Sequence, residues 1–254
     1  MNTRIKIAVI LTYIAMITVN SLANILPINN ISTGDASDYY SNLFAPAAIT
    51  FSIWGVIYTL LAAFTIYQFF KIDINAQKLN KIGVIFSVSS VANLLWIFAW
   101  HYLLIELTLP LMLIMLISLM LIAKELRDLE LSNKDKVLVK APFSVYYGWI
   151  TVATIANITA LLVGINWNGF GLSNSIWTFI IVIVGAIIGS ITTIYNKDYF
   201  YGLVLIWAYI GILIKHTSSA YFAGSYSQVV TAIIFSLILL IISNIYVIIK
   251  RARD

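Results

Sequence analysis

The chain of 254 residues has no cysteine and very little charge, because only 10% of its residues are Asp, Glu, Lys or Arg. The absence of cysteine excludes disulfides, thiolate metal sites and cysteine nucleophiles. Soluble domains carry about 25% charged residues, so the low charge excludes a soluble globular protein. What is present instead is apolar: 61% of the residues are hydrophobic, and the mean hydropathy is +0.97.

Long apolar runs recur along the chain, each able to cross a hydrocarbon core about 30 Å thick at about 1.5 Å per helical residue. Alternation with a period of two is absent, so the runs predict helices and not the strands of a barrel. We interpret the N-terminal run as a retained helix and not as a signal peptide. The sequence predicts an all-α integral membrane bundle of about eight spans, at residues 5–26, 47–70, 82–104, 107–123, 141–163, 175–195, 199–214 and 229–249.

The basic residues, which give a net charge of +5, are unevenly distributed between the two sides of this bundle. Fourteen of the fifteen lysines and arginines flank the spans on the side of both termini, and Lys215 is the exception. The positive-inside rule then predicts a multi-pass protein with both termini in the cytoplasm, and we expect the plasma membrane of a prokaryote. Because the charges serve as topology determinants, no nucleic-acid partner is expected. The segment 124–140 is predicted to be a solvated helical extension without chemistry.

Several spans carry polar and aromatic residues that contact with lipid does not require. Span 1 places Asn20 and Asn24 one turn apart. Trp54, Trp149 and Trp207 lie too deep for an interfacial belt, whereas Trp100, Trp167 and Trp177 are assigned to such belts. Two interpretations of the asparagines stay open, namely hydrogen bonds that hold helices together and the lining of a cavity. For the rings we favour a cavity for a flat apolar ligand, with the candidate lining residues Trp54, Tyr58, Asn93, Trp96, Trp149, Ala153 and Asn157.

No residue inside the predicted spans is clearly charged, and the acids and bases of the outer side lie near the outer boundary. Ion-coupled transporters and acid–base hydrolases need such groups inside the membrane, so their absence argues against both classes. The candidate polar mouth over an outer-facing cavity consists of Asp35, Asp38, His101, Glu106, Lys215 and His216. No metal site is predicted, because the two histidines are far apart in the sequence. The glycines Gly185 and Gly189 form a G-x-x-x-G face that serves either packing within the chain or a homodimer contact.

Three motifs, in order along the chain, carry a family resemblance. They are FAPAAITFSIWGVIY from Phe44 to Tyr58, NLLW from Asn93 to Trp96, and PFSVYYGWITVATIAN from Pro142 to Asn157. These motifs resemble those of the TspO/MBR family, the tryptophan-rich sensory proteins related to the mitochondrial translocator protein. The resemblance covers roughly residues 5–163. It implies a five-helix core at residues 1–164, followed by a three-helix C-terminal transmembrane extension at residues 165–254.

The resemblance implies a membrane sensory or binding protein for tetrapyrroles or other flat hydrophobic molecules. We expect the pocket to lie among spans 1, 2, 3 and 5, with haem or protoporphyrin as a ligand and with no obligatory cofactor. A small-molecule transporter is the alternative, because eight spans can form two parallel halves of four. The third hypothesis is light-dependent porphyrin breakdown driven by the tryptophans. No other enzymatic activity is expected, and the partners expected are a hydrophobic small molecule and the lipid bilayer.

Overall fold

The computed structural model describes residues 1–26, 28–70, 72 and 74–253, and it leaves out the side chains of residues 24, 252 and 253. Lys71 and the side chains of Asn24 and Arg253 therefore lie outside the described part of the chain. Within the described part the fold is all-helical, without strands, as predicted. We number its helices α1 Thr3–Ile25, α2 Thr33–Tyr39, α3 Ile53–Tyr67, α4 Ala76–His101, α5 Ile105–Arg127, α6 Ala141–Gly164, α7 Asn174–Tyr195, α8 Tyr199–Thr217 and α9 Ser227–Arg253.

All helices except α2 belong to segments that are long and apolar enough to cross a membrane, so the structure confirms the predicted eight spans. The fifth span is longer than predicted, because a short helical turn at Asn133–Asp135 and a wide π turn at Lys136–Lys140 lead directly into α6. Because the number of spans is even, both termini lie at one end of the bundle. We call this end the basic end and the opposite one the far end.

Several helices begin where a polar side chain accepts from one of the first backbone N–H groups. Asn2 accepts from the N–H of Arg4 at 2.9 Å before α1, and Asn75 accepts from the N–H of Gln77 at 2.8 Å before α4. Ser173 caps α7 and Asp198 caps α8 in the same way. Each cap satisfies a backbone donor that would otherwise lack a partner at the helix start.

Helix α6 is the central element of the bundle, because it contacts α3, α5, α7 and α8. A Cβ atom on Gly148 would lie 2.8 Å from the carbonyl oxygen of Tyr201 and 2.8 Å from Cβ of Val204. This glycine therefore allows α6 and α8 to approach closely, as small residues do between membrane helices. The opposite side of α6 faces the first spans, so the helix connects the two parts of the bundle.

The G-x-x-x-G face of α7 is directed at other helices of the same chain. A Cβ on Gly185 would lie 2.7 Å from the hydroxyl of Tyr209, and one on Gly189 would collide with Leu205 and come within 3.3 Å of Leu240. These neighbours belong to α8 and α9. Of the two interpretations of this face, the structure shows the packing within the chain.

Charged side chains are buried at the basic end, contrary to the expectation that segment 124–140 is merely a solvated extension. Lys140 and Asp198 are 3% and 4% exposed, and their Nζ and Oδ2 atoms lie 4.0 Å apart. Asp135, which is 1% exposed, accepts a hydrogen bond from the Tyr67 hydroxyl at 3.1 Å. The expectation was wrong at these positions because each buried group has a hydroxyl or ionic partner, which compensates for its removal from water.

Candidate functional site: a tryptophan-lined cavity

A cavity of about 70 Å³ lies toward the far end of the bundle, between α3, α4, α5 and α6. The segment 33–46, which includes α2, closes it from the far end. Most of its lining is apolar, and α6 contributes more lining residues than any other helix. The lining residues of the helices are Phe51 and Trp54 near the start of α3, Trp96 and Trp100 from α4, Met112 from α5, and Trp149, Val152, Ala153, Ala156, Asn157 and Ala160 from α6. None of the described α1 residues lines it, whereas α5, the fourth span, contributes Met112. This differs from the pocket expected among spans 1, 2, 3 and 5.

The helical spacing of the sequence motifs explains which side chains meet here. Trp149, Ala153 and Asn157 follow one another at intervals of four residues, so they lie on one face of α6, and all three line the cavity. Trp54 arrives from α3 and meets Trp149 edge to face, with ring centroids 6.0 Å apart and planes at 80°. Phe51 contacts the same indole at 5.7 Å and 81°. These T-shaped contacts fix the rings in orientations that aromatic pairs prefer.

Three buried polar atoms of the lining residues have no hydrogen-bond partner among the described residues. They are Nε1 of Trp96, Nε1 of Trp149 and Oδ1 of Asn157. The amide nitrogen of Asn157 is engaged, since it donates to Thr108 Oγ1 at 2.8 Å. An unsatisfied buried polar group costs about 1–3 kcal/mol. The lining residues therefore hold two indole donors and one amide acceptor that have no partner in the described protein.

Two of the candidate residues, Tyr58 and Asn93, lie outside the lining. Tyr58 stacks on Trp54 at 5.3 Å and 19°, and it thereby supports the ring that does line the cavity. Asn93 accepts from the amide of Asn20 at 2.8 Å and donates to the Tyr146 hydroxyl at 3.0 Å. This chain of hydrogen bonds connects α1, α4 and α6. For Asn20 and Asn93 the structure therefore shows the interpretation in which asparagines hold helices together.

The residues of the predicted polar mouth do not gather over the cavity. Asp35, Asp38 and Glu106 are exposed, while His101 and His216 are fully buried. His101 lies next to the cavity, with Nε2 3.3 Å from the hydroxyl of Thr33, a lining residue. His216 donates from Nε2 to the carbonyl oxygen of Leu43 at 2.8 Å, away from the cavity. Lys215 lies 5.9 Å from the ring centroid of Phe222. Neutral side chains, those of Thr33, Ser37 and Asn42, form the polar part of the lining instead.

Helix α2 is short and depends on its capping interactions. Ser32 and Asp35 form a capping box, in which the Ser32 backbone N–H donates to the carboxylate at 2.8 Å and the Asp35 N–H donates to the Ser32 hydroxyl at 3.1 Å. These hydrogen bonds hold the pKa of Asp35 below its usual value. The carboxylate therefore stays ionised at neutral pH and caps the start of α2. Asp35 has a structural role here and is not one of the lining residues.

Trp100 is a lining residue that the sequence interpretation assigned to the membrane interface. It is only 7% exposed, stacks on Trp96 at 5.2 Å and 16°, and donates from Nε1 to the carbonyl oxygen of Thr33 at 3.1 Å. Its spacing of four residues from Trp96 was the available signal, since residues at that spacing share a helix face. The closing segment 33–46 had no such signal, because its position depends on tertiary contacts.

No group of three or more His, Cys, Asp or Glu side chains that could hold a metal ion exists among the residues that the structure describes. The site is instead aromatic and amide in character. Such a lining offers ring faces, indole N–H groups and amide oxygens, which are groups that contact organic ligands in protein pockets.

The fold and the cavity define a multi-pass helical membrane protein with a tryptophan-lined cavity among its helices. The family model described as TSPO-like protein matches residues 6–246, and the chain therefore belongs to the TSPO-like family. The match confirms the resemblance carried by the three motifs and continues past them into the eighth span. No curated protein and no solved structure matches the chain.

Proposed function

We propose that this protein binds a flat hydrophobic small molecule with hydrogen-bond acceptors in the tryptophan-lined cavity, as a membrane sensor of that molecule. The observation that carries the proposal is the combination of aromatic walls with the three unpartnered polar atoms of Trp96, Trp149 and Asn157. Rings supply most of the binding energy in such a site, and the indole N–H groups select ligands that carry acceptors.

The size of the cavity determines how far the structure must move to admit each candidate ligand. Sites for drug-sized molecules measure about 300–1,000 Å³, so a cavity of about 70 Å³ is small. A one- or two-ring carbonyl compound needs only a modest displacement of the rings. Haem or protoporphyrin, which the family resemblance implies, requires the segment 33–46 to move outward. We therefore expect small quinone-like probes to bind faster than protoporphyrin.

A matched pair of ligands tests the contribution of the unpartnered atoms. We expect 1,4-naphthoquinone, which has two carbonyl acceptors, to bind the purified protein at least about tenfold more tightly than naphthalene, which has none. A tenfold difference in affinity corresponds to about 1.4 kcal/mol, which is the order of the cost of one unsatisfied buried hydrogen-bond donor. Trp149→Phe keeps an aromatic ring and removes one N–H, so it should narrow this preference. Trp149→Ala and Trp54→Ala should weaken both ligands. Equilibrium dialysis measures the affinity of both ligands for the unmodified protein and for the three variants, and titration with protoporphyrin adds the larger ligand.

The control for these variants is Phe235→Ala, which removes a ring that is 66% exposed on α9 and far from the cavity. It should leave the affinity for naphthoquinone unchanged. Equal affinities of the two ligands, or unchanged affinity after Trp54→Ala and Trp149→Ala, would contradict the proposal. Such a result would mean that the rings of Trp54 and Trp149 have a purely structural role.

We also propose that the basic end faces the cytoplasm of a prokaryotic cell, because the lysines and arginines between the spans concentrate there. The chain has no cysteine, so single cysteines report cleanly on topology. Glu130→Cys lies at the basic end and Ser219→Cys at the far end, and both positions are exposed. In intact cells a membrane-impermeant maleimide should label only Ser219→Cys, whereas both should react after lysis. Labelling of Glu130→Cys in intact cells would reverse the orientation.

A further inference from the structure

A second cavity, of about 280 Å³, lies at the far end between α6, α7 and the segments 41–43 and 222–226. It is larger than the tryptophan-lined cavity and close to the lower limit of about 300 Å³ for small-molecule sites. Asn42 contributes to both linings. Its side chain donates to the Tyr40 carbonyl and accepts from the N–H groups of Phe44 and Ala45. The segment around Asn42 thus forms a fixed partition between the two cavities.

The walls of the second cavity combine aromatic rings with neutral polar groups. Trp167 and Trp177 contact each other with centroids 5.0 Å apart, and Phe222 and Tyr226 form a second pair at 5.4 Å. The amide of Asn174 makes no hydrogen bond to any described residue and is exposed. None of the lining residues carries a charge. The lining therefore has ring faces for stacking and free polar groups for hydrogen bonds, but no counterion for a charged ligand.

The loop that joins α6 to α7 is held in an unusual conformation at this cavity. Asn166, Gly169, Phe170 and Gly171 all have positive φ, at 53°, 62°, 51° and 80°. The indole N–H of Trp177 donates to the Gly169 carbonyl at 2.6 Å. Left-handed conformations of residues other than glycine cost of order 1–3 kcal/mol and persist where the surroundings enforce them. Phe170 is such a residue, and its ring contacts those of Trp167 and Trp177 with centroids 5.3 and 6.4 Å apart.

We propose that this second cavity binds an uncharged glycosyl group. A pyranose ring has apolar C–H faces that pack on aromatic rings, and its hydroxyls both donate and accept, which suits amide and hydroxyl groups. An anionic group would find no cation in the lining, and a hydrocarbon would make no hydrogen bond to the exposed Asn174 amide. The same chemistry occurs in free saccharides and in the headgroups of glycolipids, and a site at the end of the spans is open to both.

Binding of radiolabelled glucosides to the full chain in phosphatidylcholine nanodiscs tests this proposal. The probes are methyl β-glucoside, a free saccharide, and octyl β-glucoside below its critical micelle concentration, a glycolipid mimic. We expect saturable binding of octyl β-glucoside at one site per chain, with 1-octanol and octyl sulfate failing to displace it. Displacement by methyl β-glucoside identifies free saccharides as ligands, and displacement by octyl β-glucoside alone identifies glycolipid headgroups.

Two variants locate the site. Asn174→Ala and Trp167→Ala should each lower the affinity for octyl β-glucoside at least about fivefold, while Trp149→Ala, in the first cavity, should leave it unchanged. The Asn174 and Trp167 variants should bind 1,4-naphthoquinone as the unmodified protein does, which shows that their fold is intact. This measurement also separates the glucoside proposal from the proposal for the first cavity. No saturable glucoside binding, equal displacement by 1-octanol, or unchanged affinity in both variants would overturn the proposal.

Discussion

Replacing Asp198 by asparagine should lower the free energy of unfolding by about 3–5 kcal/mol, as expected when one partner of a buried ion pair is neutralised. The change leaves the Lys140 ammonium buried, with 4% of its side chain exposed, and without its counterion. Asparagine has the same shape, and its single oxygen can still cap α8, while its NH2 group can donate to the Ser144 hydroxyl, which lies 2.5 Å from Asp198 Oδ2. The loss therefore measures the uncompensated charge. Unfolding in mixed micelles of dodecyl maltoside and dodecyl sulfate, followed by circular dichroism, gives the value.

The double variant Lys140→Met/Asp198→Asn should recover most of this stability, because it removes both charges and keeps an apolar chain of similar length. The exposed pair of Lys81 and Glu125, with N and O 2.6 Å apart and 58% and 16% of the side chains exposed, is the matched control. Glu125→Gln should cost at most about 1 kcal/mol, as surface ion pairs do. A loss in Asp198→Asn no larger than in Glu125→Gln would contradict the role given to the buried pair.

The buried ion pair of Lys140 and Asp198 joins the start of α6 to the start of α8. Lys140 precedes α6, which lines the tryptophan cavity, and Asp198 begins α8 in the C-terminal part of the chain. Tyr201, on the first turn of α8, donates to Thr151 Oγ1 of α6 at 3.2 Å. Ionic and hydroxyl contacts at the basic end therefore fix α8 against α6. We expect their loss to loosen the C-terminal helices before it affects the contacts among α1, α4 and α5.

Hydropathy and charge distribution predicted the spans because the hydrocarbon core of the bilayer constrains every residue of an apolar run. A helix must satisfy its backbone internally, so an apolar run of about 20 residues has few alternatives. The spacing of Trp149, Ala153 and Asn157 likewise determined which face of α6 would line a cavity. Both inferences depend only on local geometry, which the sequence contains.

The features that the sequence did not reveal depend on contacts between distant residues. Lys140 and Asp198 stand at span boundaries, where lysine and aspartate are usually solvated, and only their partners make burial tolerable. Trp100 was misassigned for a similar reason, since the segment that covers it becomes visible only when α2 is placed. The second cavity requires α6, α7 and the segment after α8 to meet, which no spacing along one helix predicts.

Replacing Gly211 by alanine should destabilise the protein by about 1–3 kcal/mol, the usual cost of overpacking, because no space exists for the added methyl group. It would lie 2.7 Å from Cγ2 and 2.8 Å from Cβ of Thr50, and it would collide with the Thr50 hydroxyl. The contact is held closed from both sides: the Ala47 N–H donates to the Gly211 carbonyl at 3.0 Å, and the Trp207 indole donates to the Thr50 carbonyl at 3.0 Å.

Gly55→Ala is the control for this substitution, because a Cβ on Gly55 meets nothing within 4 Å. On the exposed face of α3 it should be neutral or stabilise the helix by up to about 1 kcal/mol. The double variant Gly211→Ala/Thr50→Ala should recover part of the stability lost in Gly211→Ala, because the Thr50 substitution removes two of the three colliding atoms. The effects of the two single substitutions on stability should therefore not add. Unfolding in mixed micelles separates these outcomes, and a Gly211→Ala protein as stable as Gly55→Ala would contradict the close contact.

The same substitution should also weaken binding in the tryptophan-lined cavity. Thr50 immediately precedes Phe51, and the segment that it anchors to α8 also carries Pro46, so displacing it moves two lining residues. We expect Gly211→Ala to lower the affinity for 1,4-naphthoquinone severalfold at temperatures where the protein is still folded, and Gly55→Ala to leave it unchanged. Because Gly211 touches no ligand, this loss would show that α8 positions the wall of the cavity, and an unchanged affinity would confine α8 to a role in stability.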